Sequence, residues 1–398
     1  MTPVLRAPVI ACILLALAPV SHAQETRAGL IAAQQAAKAA ANAPQVLSKA
    51  ELVTDWIQQR LLTERPSGFI PYFDSVYGGG GFTLGAGYRR AFADHSLWVV
   101  RGLYSTKGYK LIELDVVSSV HPKQRVTFGA TVGWRDATRV GYYGLGMDTD
   151  VSDRADFRFQ QAFAQATGMW RPSSWFRASA AAGFEDFSLK DPTGDRQSVD
   201  DAYTPATAPG LGDSPSFLHT NLRVGLDTRT TPGYSRVGSY LGTGLVSYID
   251  PDHTYSFNLV DVEGVQHIPV LRETWVVSLR ARMQTTVDDD DLVPYFLMPS
   301  LGSSSTLRAF NSRRFRDRHT LLASGEFRWI PNRLGMDMAL FYDAGKVTSR
   351  RADLNFSGLE HNAGIGVRLH GPSLTVIRIE LARGSEGWNT VFSSSAAF

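Results

Sequence analysis

The chain carries a single cysteine, Cys12. It lies in a short apolar stretch near the start, so the rest of the chain holds no disulfide and no cysteine-based metal site. An excess of one charge is also missing: 40 Lys and Arg stand against 38 Asp and Glu, a net +2. That balance supplies no basic face for a nucleic-acid partner. No apolar run reaches the roughly 18 residues of a helical span, which excludes a helical multi-span membrane protein. It does not exclude a membrane β-barrel, whose strands alternate apolar and polar residues and average to neutral hydropathy. HExxH, GxSxG, Walker and EF-hand spacings are absent, and the nine His are scattered without ligand spacing. No enzyme activity, cofactor or resident metal is therefore expected. What is present is 11% aromatic residues and 36 Gly in 398 residues, a composition too apolar and aromatic for disorder.

The first 23 residues read as a secretory signal. Arg6 supplies the positive charge, Val9 to Val20 the apolar stretch, and Ser21-His22-Ala23 a small-x-small cleavage site. Residues 24–67 then form a distinct segment, Ala- and Gln-rich to Ala43 and broken at Pro44. Ser48 and Glu51 make a capping box, followed by Leu52, Val53, Trp56, Ile57 and Leu61 at helical spacing. This predicts a periplasmic helical tether, with a plug entering a lumen or docking a partner as the alternative.

From Gly68 to Phe398 the period is two. Trp275, Val277, Leu279, Ala281 and Met283 alternate with Ser278, Arg280, Arg282 and Gln284; Ile377, Ile379 and Leu381 alternate with Arg378 and Glu380. A soluble sandwich and a membrane barrel both produce this alternation, so pattern alone does not choose. Connection lengths choose. Sixteen strands are predicted, the first at 68–76 and the last at 390–398, with long connections (136–153, 189–216, 287–318, 348–359) all following odd-numbered strands. Long loops on one rim and short turns on the other are the mark of an outer-membrane barrel. The expected fold is all-β: a sixteen-stranded antiparallel transmembrane β-barrel at 68–398 in the bacterial outer membrane, preceded by a short helical segment. Outer-membrane lipid and lipopolysaccharide would surround it. The run Asp288 to Asp291 reads as a solvated acidic loop, with a divalent-cation site as its alternative.

The longest connection carries Leu307-Arg308-Ala309-Phe310 and then Arg313-Arg314-Phe315-Arg316-Asp317-Arg318-His319; the next strands carry Glu326-Phe327-Arg328 and Phe341-Tyr342-Asp343-Ala344-Gly345. This set resembles the outer-membrane-assembly superfamily, the BamA/TamA-like barrels of the bacterial surface antigen type. The resemblance implies that the tip of the sixth outer loop folds back into the barrel, with Arg308 as the tip arginine and Phe310 beside it. Asp343, on the thirteenth strand with Gly345, would be its carboxylate partner, and Glu326 lies close in the same set. The physics points the same way, because an arginine carried into a confined lumen needs a carboxylate, and a bidentate pair fixes its geometry. Tyr142-Tyr143-Gly144-Leu145-Gly146 and the carboxyl-terminal Phe398, read as the signal of a terminal strand, also resemble the family.

The chain departs from the family pattern in two places. Ala309 stands where the family has Gly, and only residues 24–66 lie between the cleavage site and the first strand, fewer than one POTRA domain needs. A seam between the first and last strands would be weak, since Gly78 to Gly81 flank one side and Ser393 to Ala397 the other. Arg313, Arg314, Arg316 and Arg318 are expected to pair with Glu326, Asp343 and Glu380, the alternative being an anion-selective lining. By resemblance the function is insertion or translocation of protein or lipid, with a client protein or a periplasmic partner. The alternative is a passive channel for small solutes.

Overall fold

The structure is a computed structural model that describes residues 67–93, 96–118, 125–271, 273–287, 292–331, 335–371 and 375–398. The signal segment 1–23, the helical segment up to 66 and the acidic run 288–291 lie outside the described residues. The period-two stretches are strands. They run β1 (Ser67–Tyr72), β2 (Thr83–Ala93), β3 (Ser96–Ser105), β4 (Lys110–Val117), β5 (Val126–Tyr142) and β6 (Ala155–Trp170). Next come β7 (Phe176–Lys190), β8 (Ser216–Asp227), β9 (Gly238–Ile249), β10 (Phe257–Leu271) and β11 (Trp275–Thr286). Two short strands, β12 (Ser300–Leu301) and β13 (Phe315–Arg316), precede β14 (His319–Trp329), β15 (Met336–Thr348), β16 (Glu360–His370), β17 (Thr375–Gly384) and β18 (Gly387–Ser393).

Sixteen of these form one antiparallel sheet in chain order, β11 pairing directly with β14, while β12 and β13 form a separate hairpin inside the connection 287–318. β15 is therefore the thirteenth strand of the sheet. Neighbours in the sheet run antiparallel, each connection reversing the direction of the chain. The long connections 143–154, 191–215, 287–318 and 349–359 share one rim.

Burial decides what the alternation left open. On β17, Ile377, Ile379 and Leu381 are exposed, while Arg378 and Glu380 between them are buried. On β15, Met338, Leu340 and Tyr342 are exposed, while Asp337 and Asp343 are buried. A sheet in water does the reverse, because solvating charge and burying hydrocarbon is what lowers its free energy. An apolar outside and an ionic inside is the arrangement that hydrocarbon solvent selects. Trp170, Trp175, Trp275 and Trp329 stand exposed at strand ends on the short-connection rim, where amphipathic rings mark a membrane interface.

Two segments fold onto the buried face where short turns and strand were expected. The connection 228–237 begins with Arg229 donating to both oxygens of Asp227, 3.0 Å each. It carries Tyr234 to the far strands, where its hydroxyl donates to Asp337 Oδ2 at 2.8 Å and its ring stacks on His370 with centroids 3.7 Å apart. The last strand ends at Ser393, not at Phe398. Ser395 N donates to Ser393 Oγ at 3.2 Å, a local turn that competes with the ladder in a stretch of Ser and Ala without β-branched residues. Phe398 thus lies off the strand, its ring 5.8 Å from the Arg280 guanidinium and 6.4 Å from the His267 ring. Among the described residues, no ladder joins β1 to β18, which are the two edges of the sheet.

The exposed apolar face makes a direct prediction. Replacing Leu340, 57% exposed, with Arg lowers stability in a bilayer by roughly 2–4 kcal/mol, read from urea titrations of liposome-folded protein. Unchanged stability would mean that this face does not meet hydrocarbon.

Candidate functional site

The site is assembled where the connection 287–318 returns onto the buried face of β14 to β18. The hairpin of β12 and β13 pairs Ser300 with Arg316 and Leu301 with Phe315, which projects residues 302–314 as a tip. Leu301, Leu307, Phe310 and Phe315 then pack with Leu322, Phe341, Val347 and Ala382 of the sheet. This small apolar cluster excludes water around the charges beneath it. Gly345 makes the approach possible, since a Cβ there would lie 2.8 Å from both Leu301 Cδ1 and the Leu321 carbonyl oxygen.

Arg308 is 1% exposed. Its Nε donates to Asp343 Oδ2 at 2.8 Å and its second terminal nitrogen to Oδ1 at 3.0 Å, a bidentate pair. Its remaining nitrogen reaches Glu380 Oε1 at 3.0 Å and Glu326 Oε2 at 3.3 Å. The guanidinium carbon lies 3.5 Å from the centroid of the Phe341 ring, a cation–π contact with no hydration shell to disrupt. Asn362 completes the cradle, its amide donating to Asp343 at 2.9 Å and its carbonyl accepting from Ala309 N at 3.3 Å.

Two further arginines hold the acids. Arg368 donates to Glu326 Oε1 at 2.6 Å and to Glu380 Oε1 at 2.9 Å, and Arg378 donates to Glu380 Oε2 at 2.8 Å. Three guanidinium groups (Arg308, Arg368, Arg378) hydrogen-bond three carboxylates (Glu326, Asp343, Glu380), and a fourth buried arginine, Arg328, stands 3.8 Å from Glu326. Mutual pairing matters because an unpaired buried ion costs several kcal/mol, and ion pairs with hydrogen bonds offset much of that penalty. Arg378 also donates to the Ser304 carbonyl at 2.6 Å, tying the base of the tip to β17.

Arg308, Phe310, Glu326, Asp343 and Gly345 are thus gathered in one place, while Phe398 is not. Arg368 and Asn362 escaped the sequence reading. Their signal was alternation on β16, where Asn362 lies opposite Asp343 and Arg368 opposite Asp337 across the ladder. Among the described residues, Arg313, Arg314, Arg316 and Arg318 form no ion pair with Glu326, Asp343 or Glu380. Arg313 stacks on Tyr77, Arg314 pairs with Glu386 at 2.6 Å, and Arg316 donates to the Tyr295 carbonyl at 2.7 Å. Arg313 and Arg314 reach the connections of the long-connection rim, and the three acids are already occupied by Arg308, Arg368 and Arg378. Burial pushes the Glu386 carboxyl above the usual carboxylate range, and the Arg314 guanidinium offsets part of that rise. Gly146, in the Tyr142 to Gly146 stretch, donates its N–H to the Arg316 carbonyl at 2.9 Å, joining a second loop to the same assembly.

Removing either partner of the central pair strands a buried charge. Arg308→Ala or Asp343→Ala is expected to lower stability by about 3–5 kcal/mol, and Arg308→Asp with Asp343→Arg to recover part of it. Thermal unfolding followed by gel mobility would report this, and wild-type behaviour of both single variants would contradict it. Gly345→Ala forces Leu301 or the backbone to shift, at about 1–3 kcal/mol.

A model of the Omp85 superfamily domain matches residues 98–387. No curated protein matches the chain in sequence. Among solved structures, BamA from Haemophilus ducreyi lacking POTRA domains 1–3 superposes with a TM-score of 0.61 at 14% identity, over 83% of this chain and 70% of that one. CdiB from Escherichia coli superposes with a TM-score of 0.54 at 14% identity, over 83% and 62%. CdiB from Acinetobacter baumannii reaches 0.50 at 12% identity, over 82% and 58%. At such identities the likeness is one of fold, and the chain spans less than two thirds of either CdiB. With the family model covering well over half of the sequence, and a sixteen-strand sheet pinned to an inward arginine loop, the chain belongs to the Omp85 superfamily of bacterial outer-membrane proteins.

Proposed function

We propose that the sheet closes into a transmembrane β-barrel that assists insertion or translocation of protein or lipid at the outer membrane. The observation that carries this reading is the buried arginine–carboxylate lock, which holds a long loop on the buried face beside two sheet edges that share no ladder. A barrel serving only diffusion gains from a continuous ladder and an open lumen. This one spends buried charge on retaining a loop, and adds the turn 228–237 and the tail 394–398 to the same face.

The edges supply the chemistry for a client. An unpaired strand presents a row of N–H and C=O groups, onto which an incoming strand adds by main-chain hydrogen bonding. In hydrocarbon those groups must be satisfied, which favours a client strand over exposure to lipid. Lipid and lipopolysaccharide contact the apolar outer face, and a periplasmic partner would act through residues 24–66. No catalytic chemistry, cofactor or metal enters this role.

Planar-bilayer recordings separate this reading from a passive solute channel. The native protein should show negligible or flickering current, and Arg308→Ala a larger one as the loop is released. A large, steady open current from the native protein would favour the solute channel. In liposomes, the native protein should speed the folding of an added unfolded outer-membrane barrel over protein-free liposomes, and an equal rate in both would remove protein insertion.

A further inference from the structure

Among the described residues the two edges of the sheet are not joined to each other, yet both are touched by one short stretch of the loop, residues 308–314. On one side, Ser312 lies against Gly78 in the connection between β1 and β2, so close that a Cβ built at Gly78 would stand 3.7 Å from the Ser312 Cβ. The Arg313 guanidinium lies 3.7 Å from the centroid of Tyr77 in that same connection. Tyr77 is itself anchored, stacked on Phe159 with centroids 4.7 Å apart. On the other side, Arg314 Nε bonds Glu386 Oε1 at 2.6 Å in the turn between β17 and β18. Asn389 of β18 donates to the Arg308 carbonyl at 2.8 Å, and the Phe310 ring covers Gly384 at the end of β17.

Successive arginines reach opposite edges because Arg313 has a φ of 57°. That left-handed conformation is unfavourable for a bulky side chain and persists only where surrounding contacts hold it. Here it turns the chain so that Arg313 faces the first hairpin and Arg314 the last. Thr149 fixes Arg314 further, accepting from its terminal nitrogen at 2.6 Å.

We propose that Ser312, Arg313 and Arg314 form a clasp that holds the first and last strands together at the long-connection rim, doing with side chains what a backbone ladder does in a closed barrel. This rests on the closed-barrel reading above. It differs from the Arg308 lock, whose guanidinium binds carboxylates of the interior strands β14, β15 and β17. A ladder parts only by losing bonds in register. A clasp of one stacked guanidinium and one ion pair opens by breaking either half, so the loop sets how readily the seam parts. Its short-connection end, near Ser67 and Ser393, has no such contact with residues 312–314 among the described residues.

The test uses the full chain in nanodiscs, with spin labels on ketone side chains introduced at positions 73 and 388 for the clasped end, and at 69 and 392 for the other. Arg314→Ala and Glu386→Ala should each broaden the 73–388 distance distribution and shift it to longer values. The double variant should go no further than either single one, and the 69–392 pair should change less. In a Cys12→Ser background, Gly78→Cys with Ser312→Cys should form a disulfide, since 3.7 Å lies in the Cβ separation that such a bond requires. Oxidation should narrow the 73–388 distribution and reduction restore it.

Unchanged 73–388 distances in Arg314→Ala and after oxidation would overturn the clasp, as would failure of the disulfide to form. If Arg314→Ala does not fold, the oxidised and reduced disulfide protein decides alone. Client folding measured on that same protein separates the two proposals. Narrowed distances with undiminished client folding would keep the clasp and reject the seam as the client's route.

Discussion

Arg308 brings a full positive charge into a space from which water is largely excluded, and the rest of the site answers that charge. Five groups converge on or beside it: Asp343 by a bidentate pair, Glu380 and Glu326 by its remaining nitrogen, Phe341 by its ring face, and Asn362 through Asp343. The acids in turn need Arg368 and Arg378, because two further carboxylates around one guanidinium would leave net negative charge in low dielectric. The loop is held as firmly as it is because releasing it exposes the whole set at once.

The same logic explains why the sheet is inverted relative to a soluble one. Hydrocarbon outside rewards Leu340, Ile365, Ile379 and Leu381 for facing outward. Charged side chains then have only the interior to occupy, and they persist there by pairing. Fixed ionic contacts across β14 to β17 give those strands a stiff inner face. The edge strands differ: β1 and β18 are short, and their flanks are rich in Gly or in Ser and Ala. Stability is therefore unevenly distributed, high around the lock and low along the edges, which is where motion is concentrated in folded proteins.

Much of this was readable from residue order. Alternation marked sixteen strands, and connection lengths marked the two rims, because both are local properties of the chain. The motif around Arg308 and the carboxylate of Asp343 were also visible, since a cation entering a confined space must find an anion. The remaining contacts were not visible. Arg313 and Arg314 looked like further partners for Glu326 and Glu380, yet they reach Tyr77 and Glu386, residues far away in sequence. The turn carrying Tyr234 resembled an ordinary short reversal, and Phe398 resembled the end of a strand.

The sequence by itself determined the period, the strand count, the segregation of charge to one face and the candidate arginine–carboxylate pair, because each follows from side chains within a few positions of one another or from a short motif. Only the tertiary structure decided which of the other arginines meets which acid, and that both sheet edges rest on one loop. Those facts depend on register and curvature summed over the whole sheet, and a shift of one residue in either would bring different charges together without altering the local pattern.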